Sequence, residues 1–188
     1  MLARGAGARP EIPLADPVAS DKFPTDSLLI PDAVVAASPP QELLRLVQKS
    51  QQARVHVAAD FDDKYEHLVT GGRADEYPAL VERFQAKFAA ITSNLDRAAA
   101  KLTAGVPGGA MVAGMITKVN DTEARRLELQ LELQVLRQRL SISTVEGAML
   151  AQEKARVKEV EASIKQLAGS VFETLEELAA EAADLDDE

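Results

Sequence analysis

The stretch EYPALVERFQAKFAAITSNLDRAAAKL, residues 76–102, decides the fold class. Tyr77, Val81, Phe84, Phe88, Ile91, Leu95, Ala98 and Leu102 follow one another at alternating steps of four and three, the spacing that aligns side chains along one face of an α-helix. A stripe of that length has to be covered by another apolar surface. Three further stripes on the same repeat supply candidates. Leu44, Val47, Gln51, Arg54, Ala58, Phe61, Tyr65 and Leu68 precede it. Val112, Met115, Val119, Thr122, Arg126, Leu129, Leu133, Leu136 and Leu140 follow, and then Leu150, Val157, Val160, Ile164, Leu167, Val171, Leu178 and Leu185. The core-stripe residues that carry the most packing area are Phe61, Tyr65, Tyr77, Phe84, Phe88, Ile91, Leu129, Leu133 and Leu136.

Punctuation separates the four helices. In SPPQ, Ser38 with Gln41 has a capping-box pattern and Pro39 falls where a missing N–H does no harm. Gly71 and Gly72 end that first helix after about Val69, since glycine takes the left-handed conformation at little cost. The second begins near Asp75 with Pro78 in its first turn, and TAGVPGG, from Thr103, stops it. The third covers about Ala110 to Leu140, and its Leu127 and Leu131 add a second apolar face. Ser143 and Glu146 make another capping box for the fourth, whose middle Gly169 weakens by roughly 1 kcal/mol relative to alanine. Helices of about 28–35 residues are roughly 40–50 Å long. Short connections favour antiparallel neighbours. The expectation is therefore an all-α chain of four long amphipathic helices, arranged as an antiparallel bundle or as paired coiled-coil hairpins. Paired hairpins would leave apolar surface for a partner or a second copy.

Seven of the nine prolines lie within the first forty residues, so 1–38 reads as a proline-rich disordered arm, 39–180 as the helical domain and 181–188 as an acidic tail. The apolar patch LLIPDAVVAA, Leu28 to Ala37, reads as docking on the bundle. The opening MLARGAGAR is basic, but Glu11, Asp16, Asp21 and Asp26 follow at once, unlike an acid-poor targeting peptide.

Composition narrows the chemistry. The formal charge is −9, and after Lys165 no basic residue follows while acids accumulate. With no clustered Lys/Arg surface, direct nucleic-acid binding is not expected. No apolar run approaches the roughly 20 residues of a membrane span. The absence of cysteine removes disulfides, thiolate zinc sites and a cysteine nucleophile. GVPGGAMVAG lacks the Gly-Lys-Ser/Thr of a phosphate loop and reads as a helix stop. His56 and His67 stand eleven residues apart, roughly 16 Å along one helix, too far to share a metal. No enzyme activity, metal or cofactor is expected.

Two stripes are broken by polar residues: Gln51 and Arg54 in the first helix, and Thr122, Glu123 and Arg126 in the third. Parallel first and third helices would bring them to one height as a buried polar layer, with Arg54 and Glu123 as the favoured pair. Such layers fix register more than they stabilise. The alternative leaves both arginines at the seam's edge with their heads in water.

Leu46-Val47-Gln48, Gln51, Arg54, Phe61, Tyr65, Tyr77, Phe84, Phe88, Glu123, Arg126-Leu127 and Gln134 together resemble the Required for excision 1-B domain family, over about residues 41–180. The resemblance implies an association with excision repair of damaged DNA and no catalytic residues. It points to a nuclear adaptor that works through protein partners, using a helical face and the acidic C-terminal tail. The competing reading is a structural coiled-coil subunit of a cytoskeletal or ciliary assembly, cytoplasmic or ciliary in location. An acidic chaperone of basic proteins ranks third.

Overall fold

The computed structural model describes residues 21–105, 107–142 and 147–184. Two short helices, α1 (Thr25–Leu28) and α2 (Asp32–Ala37), precede four long ones: α3 (Pro40–Thr70), α4 (Tyr77–Gly105), α5 (Gly109–Ile142) and α6 (Ala148–Asp184). A single 3-10 turn, Ala74–Glu76, leads into α4. The long helices run up, down, up and down. α3 packs on α4, α4 on α5 and α5 on α6. The second half of α6 returns to the first half of α3, where Leu178 joins the core that holds Leu44 and Val47. The chain is an all-α bundle. Among the described residues no helix is long and apolar enough to cross a membrane.

The stops follow from local chemistry. After α3, the Arg73 amide donates to the Leu68 carbonyl at 2.9 Å and the Gly72 amide to Val69 at 3.3 Å, the paired bonds of a Schellman cap. Gly72 alone takes the left-handed φ, +69°, while Gly71 remains helical at −80°. Glycine is needed at the second position for its φ, and at the first because a Cβ there would stand 2.9 Å from the His67 carbonyl. The first capping box does not form. Pro39 is the N-cap of α3, and Ser38 instead donates its hydroxyl to the Val34 carbonyl at 2.8 Å, closing α2. The box at Ser143 and Glu146 falls outside the described residues.

The arm requires a correction. Residues 21–38, expected to be disordered, form a strap across α3 and α4, with Val35 only 5% exposed and Phe23, Leu28 and Ile30 packed partly against the main core. Pro24, Pro31 and Pro39 each stand immediately before a helix, where a fixed φ and a missing donor cost nothing. They punctuate order here. Residues 1–20 fall outside the described part. At the other end, α6 extends to Asp184, into the expected tail, and 185–188 also fall outside.

Register is the second correction. α4 is buried along Leu80, Phe84, Lys87, Ile91, Leu95, Ala98 and Leu102, whereas Val81 and Phe88 are half-buried. α3 is buried along Leu43, Val47, Ser50, Arg54, Val57, Phe61, Lys64 and Leu68. Both helices have neighbours on more than one side, so each needs a face wider than a single coiled-coil seam. Polar residues occupy part of that width. Lys64 donates to Asp60 at 2.7 Å with both side chains within 3% of full burial. The Lys87 ammonium lies 4.4 Å from the centre of the Phe84 ring and that of Lys64 5.6 Å, where the ring's electron-rich face eases the burial of charge.

Candidate interaction groove

Arg54 is the hub of a hydrogen-bonded chain across three helices. It projects from the middle of α3, is 5% exposed, and donates to Asn120 Oδ1 of α5 at 2.8 Å and to Thr92 Oγ1 of α4 at 3.1 Å. A longer contact of 3.4 Å reaches Gln51 on its own helix. Asn120 passes the chain on, donating through Nδ2 to Asp96 at 2.9 Å. Burial pushes the Arg54 pKa below its ordinary value; Glu123 and Asp96 oppose that shift and Arg126 adds to it. A guanidinium remains charged even so. The structure thus carries Arg54 to α5, but to Asn120 and not to Glu123. Glu123 accepts from Arg126 at 2.9 Å within α5. Thr122 lies outside the layer, its hydroxyl turned to the Lys118 carbonyl at 2.7 Å.

The layer is open on one side. Beside it runs a cavity of about 410 Å³ between α3, α4 and α5, floored by Ala58, Phe61, Phe88, Ala89 and Leu127. Its charged lining is balanced: Arg54, Arg97 and Arg126 against Asp62, Asp96 and Glu123. The small side chains of Ala58, Ala89 and Ala124 make room for it. A second hollow of about 510 Å³ continues between α3 and α5, sharing Asp62 and Gln130. There Gln130 donates to both Asp62 oxygens at 2.8 and 2.9 Å. Burial pushes the Asp62 carboxyl up, offset partly by that amide and by Arg126. Tyr65 donates to the Gln134 carbonyl at 3.0 Å and Tyr77 to the Gln134 side chain at 2.9 Å, the two rings meeting edge-on at 5.6 Å. Burial, with Tyr65 adjacent, pushes the Tyr77 phenol up to about 12.

This groove has an apolar floor, a neutral charged rim and ordered amides along its length. Nothing in it pairs a nucleophile with a base. Among the described residues no group of three or more metal-type side chains gathers.

The DNA repair REX1-B family model matches residues 42–137. The chain belongs to this family. The match covers just over half of the chain, from the start of α3 into the last part of α5, and so contains the whole Arg54 layer and nearly all of the groove. The family name marks this REX1-B domain as associated with DNA repair. Neither a curated protein nor a solved structure matches the chain.

Of the core-stripe residues, Phe61, Phe84 and Ile91 are buried in the main core. Tyr65, Tyr77 and Phe88 are half-buried against it, and Leu129, Leu133 and Leu136 are buried in a separate cluster with α6. Sequence reasoning missed Thr92, Asp96 and Asn120. A signal existed: Asn120 lies between Val119 and Asp121 at a step of four from Ile116, a buried position in the α5 register, and an amide there demands partners.

Proposed function

We propose that this REX1-B chain is a non-enzymatic adaptor in DNA excision repair, acting in the nucleus by binding other proteins along the α3–α5 groove. The observation that carries the reading is the groove itself. Its floor is apolar and its rim has three acidic and three basic groups, which suits a peptide or helix with mixed charge and gives no net attraction to phosphate. The chain's excess of acid supports the same choice of partner class. The hydrogen-bonded layer beneath the floor holds α3, α4 and α5 in fixed relation, so the groove is formed before anything enters it.

Ala89 is an exposed residue on the groove wall, and Ala89→Trp fills the space without touching the core. Cells lacking the protein are expected to be sensitive to ultraviolet light, to be restored by the natural chain, and not to be restored by Ala89→Trp even though its helical content is unchanged. Full rescue by the filled variant would remove the groove from the account. Normal survival of the deleted cells would remove the repair role.

A further inference from the structure

On the side of α4 that faces the strap, three polar residues hold an extended piece of chain in an unusual manner. Leu29 has φ −76° and ψ 126°, and Pro31 φ −59° and ψ 141°, both in the polyproline II range. Backbone in that form makes no hydrogen bonds to its near neighbours, so the groups around Ile30 are open to α4, while the Pro31 carbonyl accepts the Val34 and Val35 amides of α2. Asn94 takes two of them: its Oδ1 accepts the Ile30 amide at 3.0 Å and its Nδ2 donates to the Leu28 carbonyl at 2.7 Å. Arg97 takes the next, donating to the Ile30 carbonyl at 2.7 Å, and pairs with the Asp32 carboxylate. Lys87, two helical turns earlier, pairs with Asp21.

We propose that the α4 face bearing Lys87, Asn94 and Arg97 is a receptor for an acidic, proline-containing segment with a short extended link, and that residues 21–32, whose link is 29–31, occupy it in cis as a displaceable ligand. The required pattern is one backbone N–H flanked by two free carbonyls, a proline, then a carboxylate. Leu28-Leu29-Ile30-Pro31-Asp32 is the internal copy of it. The proposal goes beyond the adaptor reading and concerns the strap side of α4, where Arg97 is the one residue shared with the lining of the α3–α5 groove.

Three features favour a recognition surface over a permanent cover. First, Asn94 and Arg97 read main chain and charge, and Leu29, between the residues they hold, stays 46% exposed. Second, the receptor side is built in advance. Arg97, on the same helix, donates to Asn94 Oδ1 at 2.7 Å, so the amide is held turned to accept from one backbone group of the strap and donate to another. An apolar seam would hold a permanent strap more tightly, because buried polar groups cost free energy unless paired and contribute mainly direction and selectivity. Third, the occupant is lightly attached. Within residues 21–32 no side chain is fully buried, Phe23, Leu28 and Ile30 being half-buried against the core, and between α2 and α3 lie only Ser38 and Pro39, both extended at φ −72°, ψ 132° and φ −68°, ψ 166°. Rotation about those few bonds frees the strap without disturbing α3. Elements with so little buried apolar surface open at low cost.

The test uses the full chain and a fluorescently labelled peptide of residues 24–36. Asp32 is 88% exposed, so Asp32→Lys leaves the core intact and sets the strap against Arg97. If this raises the open population from about 1% to about 10%, the peptide binds the variant about tenfold tighter than the natural chain, since apparent affinity scales with the competent fraction. Anisotropy reads the difference. Asn94→Ala or Arg97→Gln, added to Asp32→Lys, should abolish binding, and so should the charge reversal made in the peptide. Arg97→Gln serves independently if loss of the buried Asn94 amide impairs folding. Equal binding to the natural chain and Asp32→Lys, no binding to Asp32→Lys, or binding indifferent to both receptor changes would each overturn the proposal. So would a dimer of Asp32→Lys that exchanges straps and ignores the peptide, which would make a second copy the occupant.

Discussion

The main core and the α5–α6 seam are built from the same residue types and reach different degrees of closure. In the main core α3 and α4 are enclosed by the strap, by each other and by α5, and Phe84, Ile91, Leu95 and Leu102 are wholly excluded from water. Along the seam, Leu129, Leu133 and Leu136 meet Val157, Val160, Ile164 and Leu167 of a single partner helix and keep 5–9% of their surface. Complete burial of large side chains is concentrated where α3, α4 and α5 meet, although Val160 of the seam also reaches 1% exposure. Where apolar closure is incomplete, polar contacts hold the parts together: Tyr65 and Tyr77 reach from α3 and α4 to Gln134 of α5.

The sharpest way to break this contrast is in the main core. Phe84→Ala should cost about 3–5 kcal/mol, read by urea denaturation, because the ring is fully buried and also faces the Lys87 and Lys64 ammonium groups. A loss as small as that of a surface change would place the centre of the fold elsewhere. Leu133→Ala should cost less, about 2–3 kcal/mol, and act locally. Amide exchange should quicken along the first half of α6 while α4 stays protected; uniform quickening would mean that the two regions open as one.

Tyr77→Phe sharpens the comparison by removing a polar pin, at about 1 kcal/mol. It also carries a pH signature. The folded phenol titrates near 12 against an ordinary 10, so its contribution is fully present below pH 10 and is lost as pH rises from 10 to 12. Absorbance of the phenolate should show late ionisation in the natural chain, Tyr65 being raised as well by burial, and Tyr77→Phe should remove the latest step. Smallest of all is Gly169→Ala. An added Cβ meets nothing within 4 Å there, so the change should stabilise α6 by about 0.5–1 kcal/mol, visible as a small rise in melting temperature.

The order and approximate ends of the four long helices were legible in the sequence because heptad spacing and glycine punctuation are local, whereas α1 and α2 were not. Which side of each helix is most deeply buried was not. Lys87 and Asn94 look like solvent residues, and only the strap, which comes from more than sixty residues away in the chain, makes them interior. Arg54 was legible as a stripe-breaking residue, yet its partner depended on a rotation of α5 that brings Asn120, not Glu123, to face it. Within the arm, the docking of Leu28–Ala37 was legible from its apolar run, but the short helices of residues 21–38 were not, because proline frequency speaks for disorder whereas Pro24, Pro31 and Pro39 each precede a helix.

The strap's mixed fastening makes it unevenly sensitive to ionic strength. Its ends are held by ion pairs, Lys87 with Asp21 and Arg97 with the nearly fully exposed Asp32, and its centre by neutral amide bonds to Asn94. Raising salt from 0.1 M to 1 M shortens the reach of charge from about 10 Å to about 3 Å. The Asp32 pair then loosens first, the shielded Lys87 contact later and the Asn94 bonds last, so added salt alone should loosen residues 21–32 from their ion-paired ends inward while the buried Val35 stays in place.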